Sequence, residues 1–451
     1  MTQPSPSQRS TSFYQWYVVV LCMVAYIFSF IDRQILSLMI EPIKADLQIT
    51  DTQFSLLSGL AFSLFYAVMG LPIAFLADRF SRVRIIALGV AFWSLATAAC
   101  GLSKSFPQMF LARMSVGVGE AALTPATYSM LSDLFSREKL GRAVGLYSTG
   151  AFLGGGLAFL VGGLVISLLS GAPSVELWGL GEVRSWQLTF FIVGLPGVLV
   201  ALLILATIRD PQRQSSAQSP RKAAMGDGLR FIGSHRPTFL CLYLGFAFFS
   251  MCQYALVSWS PALYMRQYGL TPTQTGYILG SLLLLFNTAG VFCGGWLTDI
   301  LFQRGRQDAA LISGLLGAAL MLPAALGFCL VDDLTLSILF LAPAMFFSSF
   351  PLSTSAAAMQ VLTPGHLRAQ VSAVFLLVGN LIGMGVGTTL VALLTDHYFK
   401  NPQAVGSSMA VIISLAALLC LVLLGLGRRH FRASMVRQAI AAGQPATATR
   451  P

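Results

Sequence analysis

The sequence predicts an all-α membrane protein with twelve transmembrane helices arranged in two six-helix pseudo-repeats. Of the 451 residues, 56% are hydrophobic and only 10% are charged. A single aqueous core stops growing at about 250–300 residues, so a soluble chain could not bury this much apolar surface. The apolar residues also form runs of about 20 residues or more, the length that is typical of helices that cross a membrane.

Twelve apolar runs follow one another along the chain. Each can cross a hydrocarbon layer of about 30 Å, because a helix rises by about 1.5 Å per residue. They are predicted at residues 16–40, 52–77, 84–103, 107–132, 142–170, 186–208, 237–264, 273–299, 309–330, 334–361, 369–395 and 405–427. The chain then consists of an N-terminal tail (1–15), a first six-helix bundle (16–208), a polar linker (209–236), a second six-helix bundle (237–427) and a basic tail (428–451), which we expect to be partly disordered.

The formal net charge of +11 comes largely from arginines and lysines in short loops and in the tails. An excess of basic residues in short loops marks the cytoplasmic side of a membrane protein. Most of the basic loop residues lie on the side of the two termini. We therefore expect a multi-pass protein of the cell inner membrane with both termini in the cytoplasm, and no nucleic-acid partner.

The two halves of the sequence resemble each other at two pairs of positions. Asp78 and Asp299, at the ends of the second and eighth helices, are 221 positions apart. Arg142 and Arg368, at the start of the fifth and eleventh helices, are 226 positions apart. Two pairs at nearly one spacing indicate parallel repeats, and repeats of this type place the substrate site between the halves near the middle of the membrane.

Four ionisable residues lie well inside predicted helices, and all belong to the first half: Asp32, Arg33, Arg113 and Glu120. Ionisable groups at this depth are costly, which makes them candidates for function. Helical rise places Asp32 and Arg113 at similar depths, about 12 Å and about 9 Å from one surface, so Arg113 could neutralise Asp32. Glu120 follows on the same face of the helix as Arg113, about 10 Å away and close to the middle of the membrane.

A carboxyl group in this position experiences two opposing effects. Desolvation favours its neutral form, whereas a nearby arginine favours its charged form, so the group can exchange protons as its surroundings change. We interpret Asp32 and Glu120 as proton-coupling residues, and Arg113 and Arg33 as charge partners or ligands of a substrate head group. The alternative is a permanent ion pair that fixes the first helix to the fourth. For Arg33, simple contact with a neighbouring helix is the stronger alternative.

The inner end of the second helix carries Asp78 and Arg82 within a strongly basic segment. A carboxylate there can accept hydrogen bonds from the N-terminus of another helix, where the helix dipole is positive. The arginines beside it can meet Asp133 at the inner end of the fourth helix. We interpret Asp78, Arg82, Asp133 and the recurring Asp299 as a cytoplasmic latch. The alternative is ordinary anchoring by positive charge.

Polar and aromatic residues inside helices are candidates for lining a substrate cavity, although such side chains also hydrogen-bond between helices. The candidates are Tyr128, Gln253, Trp259, Asn287, Ser349 and Asn380. Glycines recur in the fifth helix, among them Gly154 and Gly155, and glycine at short spacing lets helices approach closely.

No constellation of catalytic residues is present. The four histidines are far apart in sequence and lie in predicted loops or tails, and the seven cysteines lie singly in apolar runs. Neither a metalloprotease motif nor a phosphate-binding loop occurs. We predict that the protein is not an enzyme and that it uses no cofactor and no metal.

Several segments resemble a known family. AFLADRFSRVR, with Asp78 and Arg82, and RMSVGVGEA, with Arg113, resemble signatures of the major facilitator superfamily. FIDRQ, AFWSLAT, SVGVGEA and SDLF resemble the spinster family, whose members are proton-linked carriers of amphipathic lipids such as lysophospholipids and sphingosine phosphate. The resemblance implies the major facilitator fold, with Asp32 and Glu120 as proton-coupling acids and Arg113 as their partner. One departure is that Ser29 and Phe30 stand where the family commonly has Asn-Tyr.

The leading hypothesis is a proton-coupled secondary transporter that works by alternating access and carries a small amphipathic or lipid-like molecule, such as a lysophospholipid or sphingolipid. Its expected partners are this substrate, protons and the lipid bilayer, and we expect it to act as a monomer. A second hypothesis is an importer of small organic anions or a drug exporter of the same superfamily. A third is a membrane sensor that transports nothing.

Overall fold

The computed structural model describes residues 7–169, 174–177, 181–211, 226–364 and 367–441, which lie almost entirely in helices. Up to residue 211, the described chain forms a series of helices and one antiparallel hairpin. These elements are α1 (Ser7–Leu38), α2 (Ile40–Leu47), α3 (Asp51–Ser55), α4 (Ala61–Arg79), α5 (Arg82–Cys100), α6 (Phe106–Glu120), α7 (Leu123–Leu134), α8 (Arg137–Leu169), β1 (Ser174–Leu177), β2 (Gly181–Arg184) and α9 (Ser185–Thr207).

Helices also make up most of the described chain from residue 226 onwards. They are α10 (Asp227–Ser234), α11 (Arg236–Gln267), α12 (Pro272–Leu282), α13 (Thr288–Gln303), α14 (Ala309–Leu330), α15 (Leu334–Ser348), α16 (Phe350–Leu362), α17 (Arg368–Asn380), α18 (Thr388–Leu393) and α19 (Val405–Ala441). The chain divides into two compact units. Unit 1 comprises Met1–Ser216 and Ser260–Leu284, and unit 2 comprises Ala217–Trp259 and Leu285–Pro451.

Eleven stretches of the described chain are apolar and long enough to cross a membrane. They match eleven of the twelve predicted runs. The remaining run, predicted as one helix over 107–132, is instead two shorter helices, α6 and α7, with a turn at Ala121 and Ala122 between them. Pro125 accounts for the break, because it has no N–H to donate to the carbonyl of Ala121 and its ring collides with that carbonyl in a regular helix.

Wider, π-helical turns interrupt several of the long helices. One of them, Leu56–Leu60, joins α3 to α4. A second, Leu283–Asn287, joins α12 to α13. Two more, Leu381–Gly387 and Leu394–Phe399, lie on either side of α18. Such turns are rare and occur frequently at functional sites. The sequence did not predict them, because a π-helical turn has the same apolar composition as the helix around it.

The predicted basic tail begins within α19, which continues to Ala441. Its last turns pack on unit 2: Phe431 is buried, and the Thr238 hydroxyl donates to the carbonyl oxygen of His430 at 3.0 Å. Arg428 and Arg432 also bind Asp308. These contacts explain why the helix persists beyond the apolar run. Residues 442–451 lie outside the described residues, as do 1–6 of the predicted N-terminal tail and 212–225 of the predicted linker.

The segment Ser260–Leu284 packs with the helices of unit 1. Glycines allow it to lie close against α8. A Cβ atom at Gly276 would lie 2.5 Å from the carbonyl oxygen of Phe159 and 3.0 Å from the Cα atom of Gly163. These are backbone atoms that cannot move aside, so the contact depends on small residues on both helices.

Candidate functional site

The break between α6 and α7 places Glu120 at a helix end inside unit 1. Glu120 is the last residue of α6, and its side chain is buried. The following amide of Ala121 donates to the Gly117 carbonyl at 3.2 Å, and that of Ala122 donates to the Gly119 carbonyl at 3.2 Å. The C-terminal end of a helix carries a partial negative charge, which favours a cation nearby.

Arg33 of α1 supplies that cation. Its Nε donates to Oε2 of Glu120 at 2.6 Å, and its Nη2 forms an ion pair with the same oxygen. The hydroxyl of Ser29, one helical turn earlier on α1, donates to Oε2 at 2.5 Å and accepts from Nη2 of Arg33 at 3.2 Å. Three side chains from two helices thus form one buried hydrogen-bonded network.

Aromatic rings surround the guanidinium group of Arg33. Its central carbon lies 5.0 Å from the ring centroid of Phe30, 4.5 Å from that of Phe62 and 4.9 Å from that of Tyr66. Rings at this distance attract a cation through their negative faces, and the attraction strengthens when water is excluded. Helix α4, which carries two of these rings, therefore helps to hold Arg33 against Glu120.

Asp32 and Arg113 are also buried in unit 1. Oδ2 of Asp32 accepts from the Thr97 hydroxyl at 3.1 Å. Arg113 donates to two backbone carbonyl oxygens, from Nε to Leu57 and from Nη1 to Asp32, each at 3.3 Å. Leu57 belongs to the first π-helical turn, whose wider backbone leaves its carbonyl accessible to a side chain.

The direct ion pair in this site joins Arg33 to Glu120. Arg33 takes the direct contact with Glu120, because it lies one turn along α1 from Ser29 and reaches the end of α6. Arg113 remains close enough to interact electrostatically with both carboxyl groups. Depth along the helices was a sound basis for grouping the four residues, but it could not predict which cation reaches which anion.

Each of three buried polar groups retains one atom without a hydrogen-bond partner among the described protein atoms. These atoms are Oδ1 of Asp32, Oε1 of Glu120 and Nη2 of Arg113. A buried polar atom without a partner is costly, and the cost is greater for a charged group. The site therefore has unused capacity to bind a proton at the carboxylates and an acceptor at the guanidinium.

A glycine sets the distance between α6 and α4 next to this site. A Cβ atom at Gly117 would lie 2.6 Å from the carbonyl oxygen of Phe62 and 3.3 Å from the amide nitrogen of Tyr66. Only a glycine allows the backbones to approach this closely. The approach brings Arg113 and Glu120 on α6 next to the two aromatic rings on α4.

The predicted latch centres on Arg82 at the start of α5, which is almost completely buried. Arg82 forms an ion pair with Asp133. Its Nε and backbone N–H donate to Asp210 at 3.0 and 2.8 Å, and its other nitrogens donate to the carbonyls of Ser129 at 3.0 Å and Pro211 at 2.7 Å. The sequence predicted the contact with Asp133 and missed Asp210, which lies in the predicted linker. The side chain of Asp78 lies outside the described residues.

Unit 2 contains an ion-pair cluster in which one aspartate binds two arginines, whereas in the cluster around Arg82 one arginine binds two aspartates. Asp299, the predicted counterpart of Asp78, is exposed, whereas Asp308, just before α14, is buried. Oδ2 of Asp308 accepts from Arg428 at 2.6 Å and from Arg432 at 2.9 Å. Burial by itself would raise the pKa of Asp308, but the hydrogen bonds and charges of the two arginines outweigh it and hold that pKa below its usual value. The four-residue spacing of these arginines on one helix face is the sequence signal that could have identified the cluster.

A third cluster, which we call the Arg266 cluster, joins the end of α11 to the segment between α1 and α4 within unit 1. Arg266 donates to both carboxylate oxygens of Asp51 at 2.7 Å and to Glu41 at 2.7 Å. Lys44 forms a further ion pair with Asp51. The sequence predicted no contact among these residues.

The candidate cavity residues occupy different environments. Tyr128 is 41% exposed, and Gln253, Asn287 and Asn380 are half-buried. Trp259 and Ser349 are buried. Nε1 of Trp259 donates to the Thr388 carbonyl at 3.1 Å, and the hydroxyl of Ser349 donates to the Phe346 carbonyl at 2.7 Å. The first bond joins α11 to α18, whereas the second is a local bond at the end of α15.

Comparison with known proteins gives consistent matches. Residues 22–388 match the family model of the Major Facilitator Superfamily. The crystal structure of a bacterial homologue of the human lysosomal transporter Spinster, inward-facing and unoccupied, is 31% identical, with a TM-score of 0.75 over 95% of this chain and 96% of that chain.

Two curated relatives carry other names. An MFS-type efflux pump of Mycolicibacterium smegmatis is 28% identical over 94% of this chain and 95% of its own length. A probable L-galactonate transporter of Escherichia coli is 26% identical over 66% of this chain and 65% of its own length. The family consists of multi-pass membrane transporters rather than enzymes. The chain therefore belongs to the major facilitator superfamily, as a transporter of the spinster-like type.

Proposed function

We propose that this protein is a proton-coupled secondary transporter that works by alternating access and carries a small amphipathic or lipid-like molecule, such as a lysophospholipid or sphingolipid. The observation that carries the proposal is the buried Glu120 carboxylate, which contacts Arg33 and Ser29 through one oxygen and has no described partner at the other. A buried charge must be either paired or neutralised. A proton on Glu120 would weaken its hold on Arg33 and so change the contact between α1 and α6.

Asp32 is the second proton site in this proposal. Its carboxylate is buried, accepts one hydrogen bond from Thr97 and has one oxygen without a described partner. Arg113 interacts electrostatically with both acids while its hydrogen bonds to Leu57 and Asp32 go to backbone carbonyl oxygens, so its charge stabilises whichever acid is ionised. The charges of the two acids and the two arginines formally cancel. Each proton that binds to one of the acids therefore leaves an excess positive charge in the site. That excess charge supports binding of an anionic group.

The substrate class rests on two features. The buried arginines and the aromatic rings beside Arg33 suit an anionic head group next to an apolar body. In contrast, the spanning helices of the second half carry no Asp, Glu, Lys or Arg except near their ends, which suits an apolar tail. The resemblance of FIDRQ and SVGVGEA to the spinster family, whose members carry amphipathic lipids, supports the same class.

A second candidate substrate is a small organic anion. Nη2 of Arg113 is buried without a described partner, and a guanidinium nitrogen in that state suits a carboxylate. The name of the Escherichia coli relative, a probable L-galactonate transporter, supports this candidate, whereas the name of the Mycolicibacterium relative, an efflux pump, supports export.

We also propose that the protein lies in the inner membrane with both termini in the cytoplasm. The excess of basic residues in the loops on the side of the termini supports this orientation. On this proposal Arg82 and Asp133, with Asp78 and Asp299, act as a cytoplasmic latch. Single cysteines introduced near either end and labelled with a membrane-impermeant maleimide on intact cells test the topology. Labelling from outside would contradict it.

Flux measurements on the full chain in proteoliposomes test the function. The vesicles contain a pH-sensitive dye, and a proton gradient is imposed across their membrane. The compounds added in separate assays are lysophosphatidylcholine, L-galactonate and ethidium. We expect proton movement with lysophosphatidylcholine and its loss in Glu120→Gln. Glu182→Gln, a change to an exposed glutamate on β2, is the matched control and should transport normally. Proton-coupled flux that persists unchanged in Glu120→Gln would rule out the proton role of Glu120, and a response to L-galactonate or ethidium alone would reassign the substrate.

A further inference from the structure

We infer that Ser29 is a positioning residue that sets the pH at which Glu120 takes up its proton. The inference rests on the proposed proton role of Glu120 and adds a neutral residue to it. Ser29 is completely buried on α1, four positions before Arg33. It acts through Glu120 and Arg33, so no contact with the substrate is needed.

The geometry lets one hydroxyl serve both partners. A serine hydroxyl has one hydrogen to donate and two lone pairs that accept. Ser29 donates its hydrogen to Oε2 of Glu120 at 2.5 Å and accepts from Nη2 of Arg33 at 3.2 Å. The same oxygen of Glu120 accepts from Nε of Arg33 at 2.6 Å. The hydroxyl therefore stabilises the carboxylate directly and also holds the guanidinium group in the orientation that binds it.

The two functions of Ser29 favour the same protonation state. A hydrogen bond is stronger when its acceptor is charged, so loss of the hydroxyl penalises ionised Glu120 more than neutral Glu120. Loss of the contact with Nη2 also removes one of the contacts that orient Arg33 towards the carboxylate. Both changes make Glu120 keep its proton to a higher pH.

The other groups that face Glu120 are few. Arg33 and Asp32 face it from α1, Arg113 faces it from its own helix, and Tyr66 of α4 lies against Arg33. The remaining charged residues of α4, α5, α7 and α8 lie near helix ends that are distant in sequence from this layer. They are Asp78, Arg79, Arg82, Arg84, Asp133, Arg137, Glu138, Lys139 and Arg142. Removal of the Ser29 hydroxyl leaves every one of these charges in place, so a change in titration can be assigned to the hydroxyl.

Infrared difference spectroscopy of the reconstituted full chain tests the inference without a known substrate. The carboxyl C=O stretching band is followed as pH is varied, and the part of it that disappears in Glu120→Gln reports protonated Glu120. In Ser29→Ala we expect the midpoint of this band to move to higher pH by about one unit, the effect of losing one hydrogen bond to a charged group. Ser29→Thr keeps a hydroxyl and should keep the midpoint.

Ser37→Ala is the matched control. Ser37 is also buried on α1, but its hydroxyl donates to the carbonyl of Gln34 in its own helix at 2.6 Å. The midpoint should not move in this variant. If Ser29→Ala does not stay folded, Ser29→Cys replaces it, because a thiol is a weak donor and should move the midpoint in the same direction.

Two outcomes would overturn the inference and remain distinguishable. A Glu120 band whose midpoint is the same in the wild-type protein and Ser29→Ala removes the role of Ser29 and leaves the proton role of Glu120 intact. A wild-type spectrum without a titrating band that depends on Glu120 removes both. A shift in Ser29→Ala that is absent in Ser29→Thr and Ser37→Ala supports the inference.

Discussion

Arg33 and Glu120 form a buried ion pair between α1 and α6, in which Nε of Arg33 lies 2.6 Å from Oε2 of Glu120. The glutamate side chain is fully buried, and the arginine side chain is only 10% exposed. The attraction between buried charges has to offset their loss of hydration, so such a pair need not stabilise a protein more than two apolar residues would. Loss of one partner, in contrast, leaves the other charge buried alone.

The first prediction separates the stability of the protein from its proton coupling, because loss of one partner of the ion pair should cost more stability than replacement of both. Arg33→Met should lower the free energy of unfolding by about 3 kcal/mol at alkaline pH, and by less at acidic pH, where Glu120 can take up a proton. The double variant Arg33→Met/Glu120→Gln should recover most of this stability while proton-coupled flux stays absent. Thermal unfolding in detergent at several pH values and flux in proteoliposomes provide the two measurements. A double variant no more stable than Arg33→Met would contradict the prediction.

The second prediction concerns the Arg266 cluster. The two hydrogen bonds from Arg266 to Asp51 are charge-assisted and nearly removed from water, since the arginine is 5% exposed and the aspartate is fully buried. Arg266→Gln should therefore destabilise the protein by about 2–4 kcal/mol.

Arg184→Gln is the matched control for that prediction. Arg184 pairs with Asp46, but its side chain is 53% exposed, and exposed pairs contribute at most about 1 kcal/mol. Asp46 also keeps its hydrogen bond from Trp186. Equal shifts of the unfolding temperature in Arg266→Gln and Arg184→Gln would show that burial does not govern the strength of these pairs.

The sequence predicted the spanning helices and the four ionisable residues well inside them, because both depend on local properties of the chain. Apolar runs identify helices, and all four ionisable residues inside those runs belong to the first half of the chain. The break at Ala121 and Ala122 could also have been predicted, since Pro125 follows Glu120 by five positions. It was missed because the run stays apolar through the turn.

The pairing within the site could not be predicted in the same way. Arg33 rather than Arg113 reaches Glu120 because of how α1 crosses α6 and how Phe30, Phe62 and Tyr66 orient the guanidinium group. These are long-range packing effects that no local pattern records. The Arg266 and Asp308 clusters were missed for a related reason: charges counted by loop indicate which side of a membrane they face but not which residues they meet.

The third prediction follows from the pKa of Asp308, which its two arginines hold below the usual value against the opposing effect of burial. A carboxyl group with a depressed pKa in the folded state stabilises the fold above its unfolded pKa and loses this contribution as pH falls through the folded one. Asp308→Asn should therefore lower the unfolding temperature at neutral pH, and the difference from the wild-type protein should shrink on acidification below about pH 4.

Glu182→Gln, an exposed position, should show no such pH-dependent difference. The Asp308 prediction concerns the anchoring of α19, because Arg428 and Arg432 bind the same oxygen of Asp308 from that helix. Limited proteolysis after Arg428, Arg429 and Arg432 should accordingly be faster in Asp308→Asn. If the difference in unfolding temperature between Asp308→Asn and the wild-type protein stays constant from neutral to acidic pH, the charge of Asp308 contributes nothing to stability.

The fourth prediction compares two neighbouring glycines of α8. A Cβ atom at Gly154 would lie 2.7 Å from Cβ of Phe30 and 2.9 Å from the carbonyl oxygen of Ile27, whereas one at Gly155 would meet nothing within 4 Å. Gly154→Ala should force α8 away from α1 and destabilise the protein by about 1–3 kcal/mol. Gly155→Ala should be neutral or stabilising by up to about 1 kcal/mol, because alanine favours the helix.

The same pair of variants links packing to the site. Phe30 lies against Arg33, with the guanidinium carbon 5.0 Å from its ring centroid, so a displaced Phe30 alters the contact between Arg33 and Glu120. Proton-coupled flux should therefore fall in Gly154→Ala even at a temperature where the variant is fully folded, while Gly155→Ala transports normally. If folded Gly154→Ala kept full flux, the position of Phe30 would not matter for the ion pair, and the contact between α8 and α1 would serve stability alone.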